Sequence, residues 1–200
     1  MNRSENEKME RFPEILDKIQ EYIEKVLKHK ELLLIAVDGK SGSGKSTLAE
    51  RLADQYDANL YHMDDFFLQP FQRTPERLAE IGGNVDYERF KQEVLEPLLE
   101  NRDFSYGIFS CRKQEIVEYR QVKRNRIHII EGSYSEHPYF GRPYDLTVCL
   151  DIGENAQKER IRMRNGEEML KRFVKEWIPK ENAYLEKFQI REQSDFWIRV

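Results

Sequence analysis

Eight consecutive residues, Gly39, Lys40, Ser41, Gly42, Ser43, Gly44, Lys45 and Ser46, follow the pattern G-x-x-x-x-G-K-[ST]. The glycines let backbone N–H groups turn inward and approach phosphate oxygens. A helix opening at Ser46 and Thr47 would add its positive N-terminal end. Lys45 would then reach the β- and γ-phosphates, and the Ser46 hydroxyl would hold Mg²⁺. The pattern implies binding of a nucleotide's phosphates. It does not by itself choose between a switch, a motor and a kinase.

Phosphoryl transfer to a hydroxyl needs a carboxylate to take the proton, a second acid for the metal and mobile arginines for the transferred charge. The run Tyr61-His62-Met63-Asp64-Asp65-Phe66-Phe67 supplies paired acids after a short apolar segment, and either could be the base. Ile127-His128-Ile129-Ile130-Glu131-Gly132 ends a second apolar segment in a carboxylate suited to the metal side. Arg160, Arg162, Arg164 and Arg172 straddle Asn165-Gly166, a break between two helices, and suit a lid closing over phosphates. Tyr106, Arg112, Tyr134 and Tyr139 could line an acceptor pocket. His29, His62, His128 and His137 show no metal spacing and read as structural or surface groups.

These residues need a scaffold of strands and helices. Leu32 to Val37, Asn59 to His62, Ile127 to Ile130 and Leu146 to Leu150 read as short buried strands, and Phe196 to Val200 as a last one. Helices are expected over 46–55, from an Asp86 cap to about Glu100, over 154–164 and over 167–189. Phe66 to Gly83 reads as a loop with one helical turn, and Asp103 to Arg120 as a hairpin. Phe12, Ile15, Ile19, Tyr22, Ile23, Val26 and Leu27 recur at helical spacing. The expectation is an N-terminal amphipathic helix over 1–31 packed on a domain over 32–200. That domain is α/β, three layers around a mostly parallel sheet. The loops after Asp38, His62, Ile130 and Leu150 should share one cleft.

Composition narrows the partners. The 200 residues carry 33 Lys and Arg against 37 Asp and Glu, a net charge of -4, so no nucleic-acid partner is expected. No apolar run approaches the ~20 residues of a membrane helix, and the charged Met1 to Arg11 lacks a signal core, so the reading is cytoplasmic, with no membrane partner. Of the two cysteines, Cys149 reads as a buried core thiol. A homo-oligomer stays open.

In order and spacing, the phosphate loop, Met63-Asp64-Asp65-Phe66-Phe67, Asn84-Val85-Asp86-Tyr87, Glu131-Gly132-Ser133-Tyr134 and the arginine segment resemble the uridine kinase family. Its relatives include phosphoribulokinase, pantothenate kinase and nicotinamide riboside kinase. The resemblance covers roughly Leu32 to Val200 and implies a P-loop fold with an arginine-rich lid, ATP and Mg²⁺. It implies Asp64 as general base near the metal, Ser46 and Glu131 as Mg²⁺ ligands, and Asp86 as the acid holding ribose hydroxyls. Tyr106 would lie beside the acceptor's base, and Arg160, Arg164 and Arg172 would serve the lid. Cys111 stands near the place of a pyrimidine-reading His, and Asp65 where many uridine kinases have Ser. The double acid is more like the nicotinamide riboside kinases.

The first expectation is therefore an ATP-dependent kinase acting on a hydroxyl of a small nucleoside-like metabolite, uridine or cytidine foremost. Nicotinamide riboside, pantothenate or another vitamin or sugar are alternatives. A P-loop ATPase switch without an acceptor is the alternative from another class. The chain contains neither an Asn-Lys-x-Asp guanine motif nor a Leu-Ser-Gly-Gly-Gln signature.

Overall fold

The structure, a computed structural model, describes residues 12–200, so the charged stretch Met1 to Arg11 lies outside it. Helix α1 (Phe12–Leu27) leads into β1 (Leu33–Gly39), all of whose residues are buried. The phosphate loop follows, then α2 (Lys45–Tyr56) and β2 (Asn59–His62). After a 3-10 turn at Met63–Phe66, the expected loop over 66–83 holds more structure than one turn: a 3-10 turn at Pro70–Gln72 and the short helix α3 (Pro75–Ala79). Helix α4 (87–99) begins after Asp86 and carries a wide π turn at Lys91–Leu95. The hairpin β3 (Phe104–Ser110) and β4 (Glu115–Val122) is followed by β5 (Ile127–Glu131) and β6 (Leu146–Asp151).

Helix α5 (Glu154–Arg172) is interrupted at Gly166, where φ is 81° and ψ is 170°. Only glycine takes that conformation without strain, so the helix changes direction between the arginines flanking it. A second π turn, Phe173–Trp177, leads into α6 (Ile178–Lys187), α7 (Ile190–Gln193) and β7 (Phe196–Arg199).

The five-stranded sheet runs β2-β5-β1-β6-β7, parallel throughout, with β1 at the point where the order reverses. Its two faces follow from alternation along β1. Leu33, Ile35 and Val37 pack with Leu16, Ile19 and Ile23 of α1 and Leu48 and Leu52 of α2. Leu34 faces the opposite layer with Tyr61, Phe66, Phe90, Tyr106 and Tyr184. A strand covered on both faces must be apolar at every position, which is why β1 reads as a continuous run. Cys149 is buried in this second layer, as expected for a core thiol. The carboxyl ends of β1, β2, β5 and β6 come out along one edge, where ligands sit in such sheets. At that edge, a Cβ on Gly39 would lie 2.0 Å from the Leu150 carbonyl oxygen, so no larger residue fits where β1 turns into the loop. No helix among the described residues is long and apolar enough to cross a membrane.

Candidate functional site

The phosphate loop is held from three sides. Lys45, nearly buried, donates to the Lys40 carbonyl at 2.9 Å, closing the loop on itself. From α5, Gln157 donates to the Ser41 carbonyl at 3.0 Å and Arg160 to that of Gly42 at 3.1 Å. From α6, the Glu181 carboxylate accepts from the Ser41 N–H at 3.0 Å and from the Ser41 hydroxyl. Ser43 is buried and Gly44 takes a left-handed φ of 96° immediately before α2, so the amides of 44–46 open toward the helix's N-terminal end. Thr47 is exposed in the first turn of α2.

Beneath the loop, Asp38 is fully buried at the end of β1. It accepts hydrogen bonds from Gly39 N (2.6 Å), Glu136 N (2.9 Å), Tyr134 N (3.2 Å) and the Tyr184 hydroxyl (2.6 Å). Burial raises its pKa, against the pull of these donors. Glu136, buried beside it, is pushed up to about 8, by burial first and then by Asp38.

Glu131 leaves β5 between β1 and β2, in register with Val37 on one side and His62 on the other. Its carboxylate accepts from the Ser46 hydroxyl at 3.2 and 3.3 Å and from His62 Nδ1 at 2.6 Å. That bond raises the His62 pKa against the opposing effect of burial. His62, read from the sequence as a structural or surface group, belongs to this site. Asp64 follows on the 3-10 turn, open to solvent but with protein on most sides. Desolvation raises its pKa and so does Glu131, while Lys45, Arg164 and His62 pull it down. Asp65 is also raised, by burial, with His62, Arg120 and Arg89 opposing. Ser46, Glu131 and Asp64 form a set of hard oxygen donors, the chemistry Mg²⁺ takes. Among the described residues no three His, Cys, Asp or Glu side chains converge as a metal site of their own. A Mg²⁺ here would be shared with water and nucleotide oxygens, its usual mode.

The predicted arginines divide. Arg160 is on the phosphate loop and Arg164 acts electrostatically on Asp64. Arg162 turns away to pair with Glu159. Arg172 is exposed, paired with Glu176 at 3.2 Å and lying over the Trp177 ring, yet close enough to act on Cys111 at the hairpin tip. The lid, the hairpin and the Asp64 turn thus rim one cleft.

The predicted acceptor side is packed differently from expectation. Tyr106 is completely buried, stacked on Phe66 with its hydroxyl accepting from Arg120 at 3.1 Å, and its pKa is pushed up to about 12 by burial. Tyr134 is buried edge-on against Tyr184. Both rings therefore serve the core. Arg112 and Tyr139 are exposed, Arg112 at the hairpin turn. Asp86 is buried and fully engaged: it caps α4 by accepting from Arg89 N at 3.1 Å and takes the Gln72 amide at 2.8 Å.

Arg89, which sequence reasoning passed over, is the buried hub of this side. It donates to the carbonyls of Asp65 (2.6 Å) and Gly107 (2.7 Å), pairs with Glu93 at 3.1 Å and lies over the Phe66 ring. It ties the turn bearing Asp64 to the hairpin and to α4. A charged residue in the first turn after a cap was its only sequence signal.

Comparison with known proteins places these features. Solved structures superpose on this chain along almost its whole length. A protein described as a possible uridine kinase from Bacillus stearothermophilus covers 92% of this chain with 99% of its own, at 18% identity and a TM-score of 0.68. The chain has the P-loop kinase fold. A candidate fructose transport system kinase from Silicibacter sp. TM1040 superposes with a TM-score of 0.70 at 22% identity, covering 91% of this chain and 98% of its own. The shikimate kinase family model matches residues 41–123. Uridine-cytidine kinase C of Dictyostelium discoideum is 22% identical over 124 residues, 61% of this chain. The chain spans about a quarter of that relative, 27% of its length. All four of these matches are to kinases or to proteins described as kinases.

Proposed function

We propose that the protein is an ATP-dependent kinase that transfers the γ-phosphoryl group to a hydroxyl of a small metabolite. The observation that carries this reading is the convergence of Lys45, Ser46, Glu131 and Asp64 at one edge of the sheet, with Asp64 open to the cleft. The loop amides and Lys45 hold the nucleotide's phosphates. Mg²⁺, held by Ser46, Glu131 and Asp64, would neutralise charge on the phosphate oxygens. Asp64 orients the acceptor hydroxyl and takes its proton, and its raised pKa makes it a better base than an ordinary carboxylate. Arg160 and Arg164 lie where charge grows on the transferred group, so catalysis rests on positioning and electrostatics.

A nucleoside, uridine or cytidine, is the first acceptor to try. One observation favours a second reading: Asp86, the residue that would grip ribose, has both oxygens engaged, one by the Gln72 amide and one by the Arg89 N–H of α4. An acceptor without ribose, such as pantothenate or another vitamin or sugar, leaves that network intact. The test is ADP release with Mg-ATP and a panel of uridine, cytidine, nicotinamide riboside, pantothenate and sugars. Turnover that requires one acceptor and vanishes in Lys45→Ala supports the kinase and names its substrate. Slow ADP release indifferent to every acceptor favours a P-loop ATPase switch.

A further inference from the structure

Ser41 is the residue at which the chain, having left β1, turns to present the phosphate-binding amides. All three of its polar groups are held. Its carbonyl takes the Gln157 amide, while its N–H and hydroxyl both go to Glu181. The Glu181 carboxylate is 4% exposed and also accepts from the Ser133 hydroxyl at 3.0 Å, which places it between the phosphate loop and the segment following β5. Its three donors are all neutral. A buried carboxylate is costly unless such bonds offset the loss of water, so its presence at this point asks for a reason.

The rest of α6 supplies the context. Lys180 donates to the Leu78 carbonyl at 2.8 Å and Tyr184 to Asp38 at 2.6 Å. Within five residues, one helix reaches the end of α3, the phosphate loop and the end of β1. That helix directly follows the arginine-bearing segment.

We propose that Glu181 is a positioning residue for the nucleotide: it fixes the Ser41 peptide so that the amides after it point at the phosphates. It acts through Ser41 and touches no reacting atom. This inference rests on the nucleotide-binding reading above. Without Glu181, the Ser41 N–H and hydroxyl lose their partner in a nearly closed space, and the loop exchanges one conformation for several before it can bind. Glutamine keeps an acceptor for the N–H and offers its NH₂ to the hydroxyl. Aspartate keeps the charge but falls short by one methylene.

The test is calorimetric titration of Mg-ADP, which needs no knowledge of the acceptor, with a thermal melt of each variant. Glu181→Ala weakens Mg-ADP binding by about ten- to a hundredfold. Glu181→Gln stays within about threefold of the parent, and Glu181→Asp falls between, since hydrogen bonds weaken steeply with distance. With the acceptor identified, KM for ATP rises while KM for the acceptor holds. Parent-like affinity in a folded Glu181→Ala protein overturns the proposal, as does a glutamine variant as weak as the alanine one. Where alanine prevents folding, Glu181→Asp decides: unchanged affinity there overturns it. Failure of the parent chain to bind Mg-ADP would instead remove the functional reading on which the proposal stands.

Discussion

On the side proposed to hold the nucleotide, the phosphate loop is bounded by the sheet edge, α5 and α6, and its backbone is fixed by hydrogen bonds. On the acceptor side, the groups are side chains carried by a 3-10 turn, a hairpin tip and helix starts, gathered around the buried Arg89. A triphosphate is the same for every enzyme that uses it, so a rigid backbone cradle suffices. An acceptor would be read by side chains, so one fold can serve different acceptors by changing them. The two sides meet at Asp64.

The sharpest way to test this division is Asp64→Asn. It should lower turnover by about 10³-fold while the affinity for ADP without Mg²⁺, read by titration, stays near that of the parent. As the proposed base Asp64 would work ionised, and its pKa is raised. The rate of the parent should therefore fall as pH drops through a value above that of an ordinary aspartate, and that acid limb should be absent from the residual rate of the variant.

Arg89→Ala probes the acceptor side alone. It strands the carbonyls of Asp65 and Gly107 and the Glu93 carboxylate, and such losses cost about 3–5 kcal/mol. A fall in Tm of roughly 10 °C is expected, with the Mg-ADP affinity of the folded protein little changed. Affinity lost in step with stability would mean that the two sides are not separable.

Glu136 probes the base of the nucleotide side. Its folded pKa of about 8 lies above its ordinary value, so the folded state holds a proton that the unfolded chain has lost. Stability should therefore decline as pH rises from about 4.5 to 8. Glu136→Gln should flatten that decline and raise Tm at pH 8 by about 3 °C, read from melts across the range. The smallest effect belongs to Arg172→Ala, whose exposed pair with Glu176 contributes about 0–1 kcal/mol. Tm should hold within about 2 °C, and turnover should fall less than tenfold.

How far the sequence could be read follows the same division. The phosphate loop stood out because backbone recognition demands glycine at set positions, and Asp64 and Glu131 stood out as candidates because Glu131 ends an apolar strand and Asp64 follows one. Gly166 announced the helix break. Tyr106 and Tyr134 misled, because an aromatic residue near a site and one beneath it look alike in a sequence. His62 hid beside Asp64, its partner Glu131 being 69 residues away. Glu181 lay 140 residues from Ser41, and its one signal was a carboxylate on the apolar stripe between Ile178 and Tyr184. Asp86 was legible as a cap, but its second partner, Gln72, came from a loop with no period to read.

The wide turn at Phe173–Trp177 has a bearing on which changes of length the arginine-bearing segment tolerates. There the Ile178 N–H reaches back five residues to the Phe173 carbonyl, one more than an α-helical turn spans. One residue in a helix is worth about 100° of rotation. That extra residue sets the phase between the arginines of α5 and the inward face of α6. Removing it would swing Glu181, Lys180 and Tyr184 together out of line with their partners, whereas whole turns added beyond Gly166 would leave their aim intact. A single-residue change in this segment would thus disturb the aim of α6 more than a change of a whole turn.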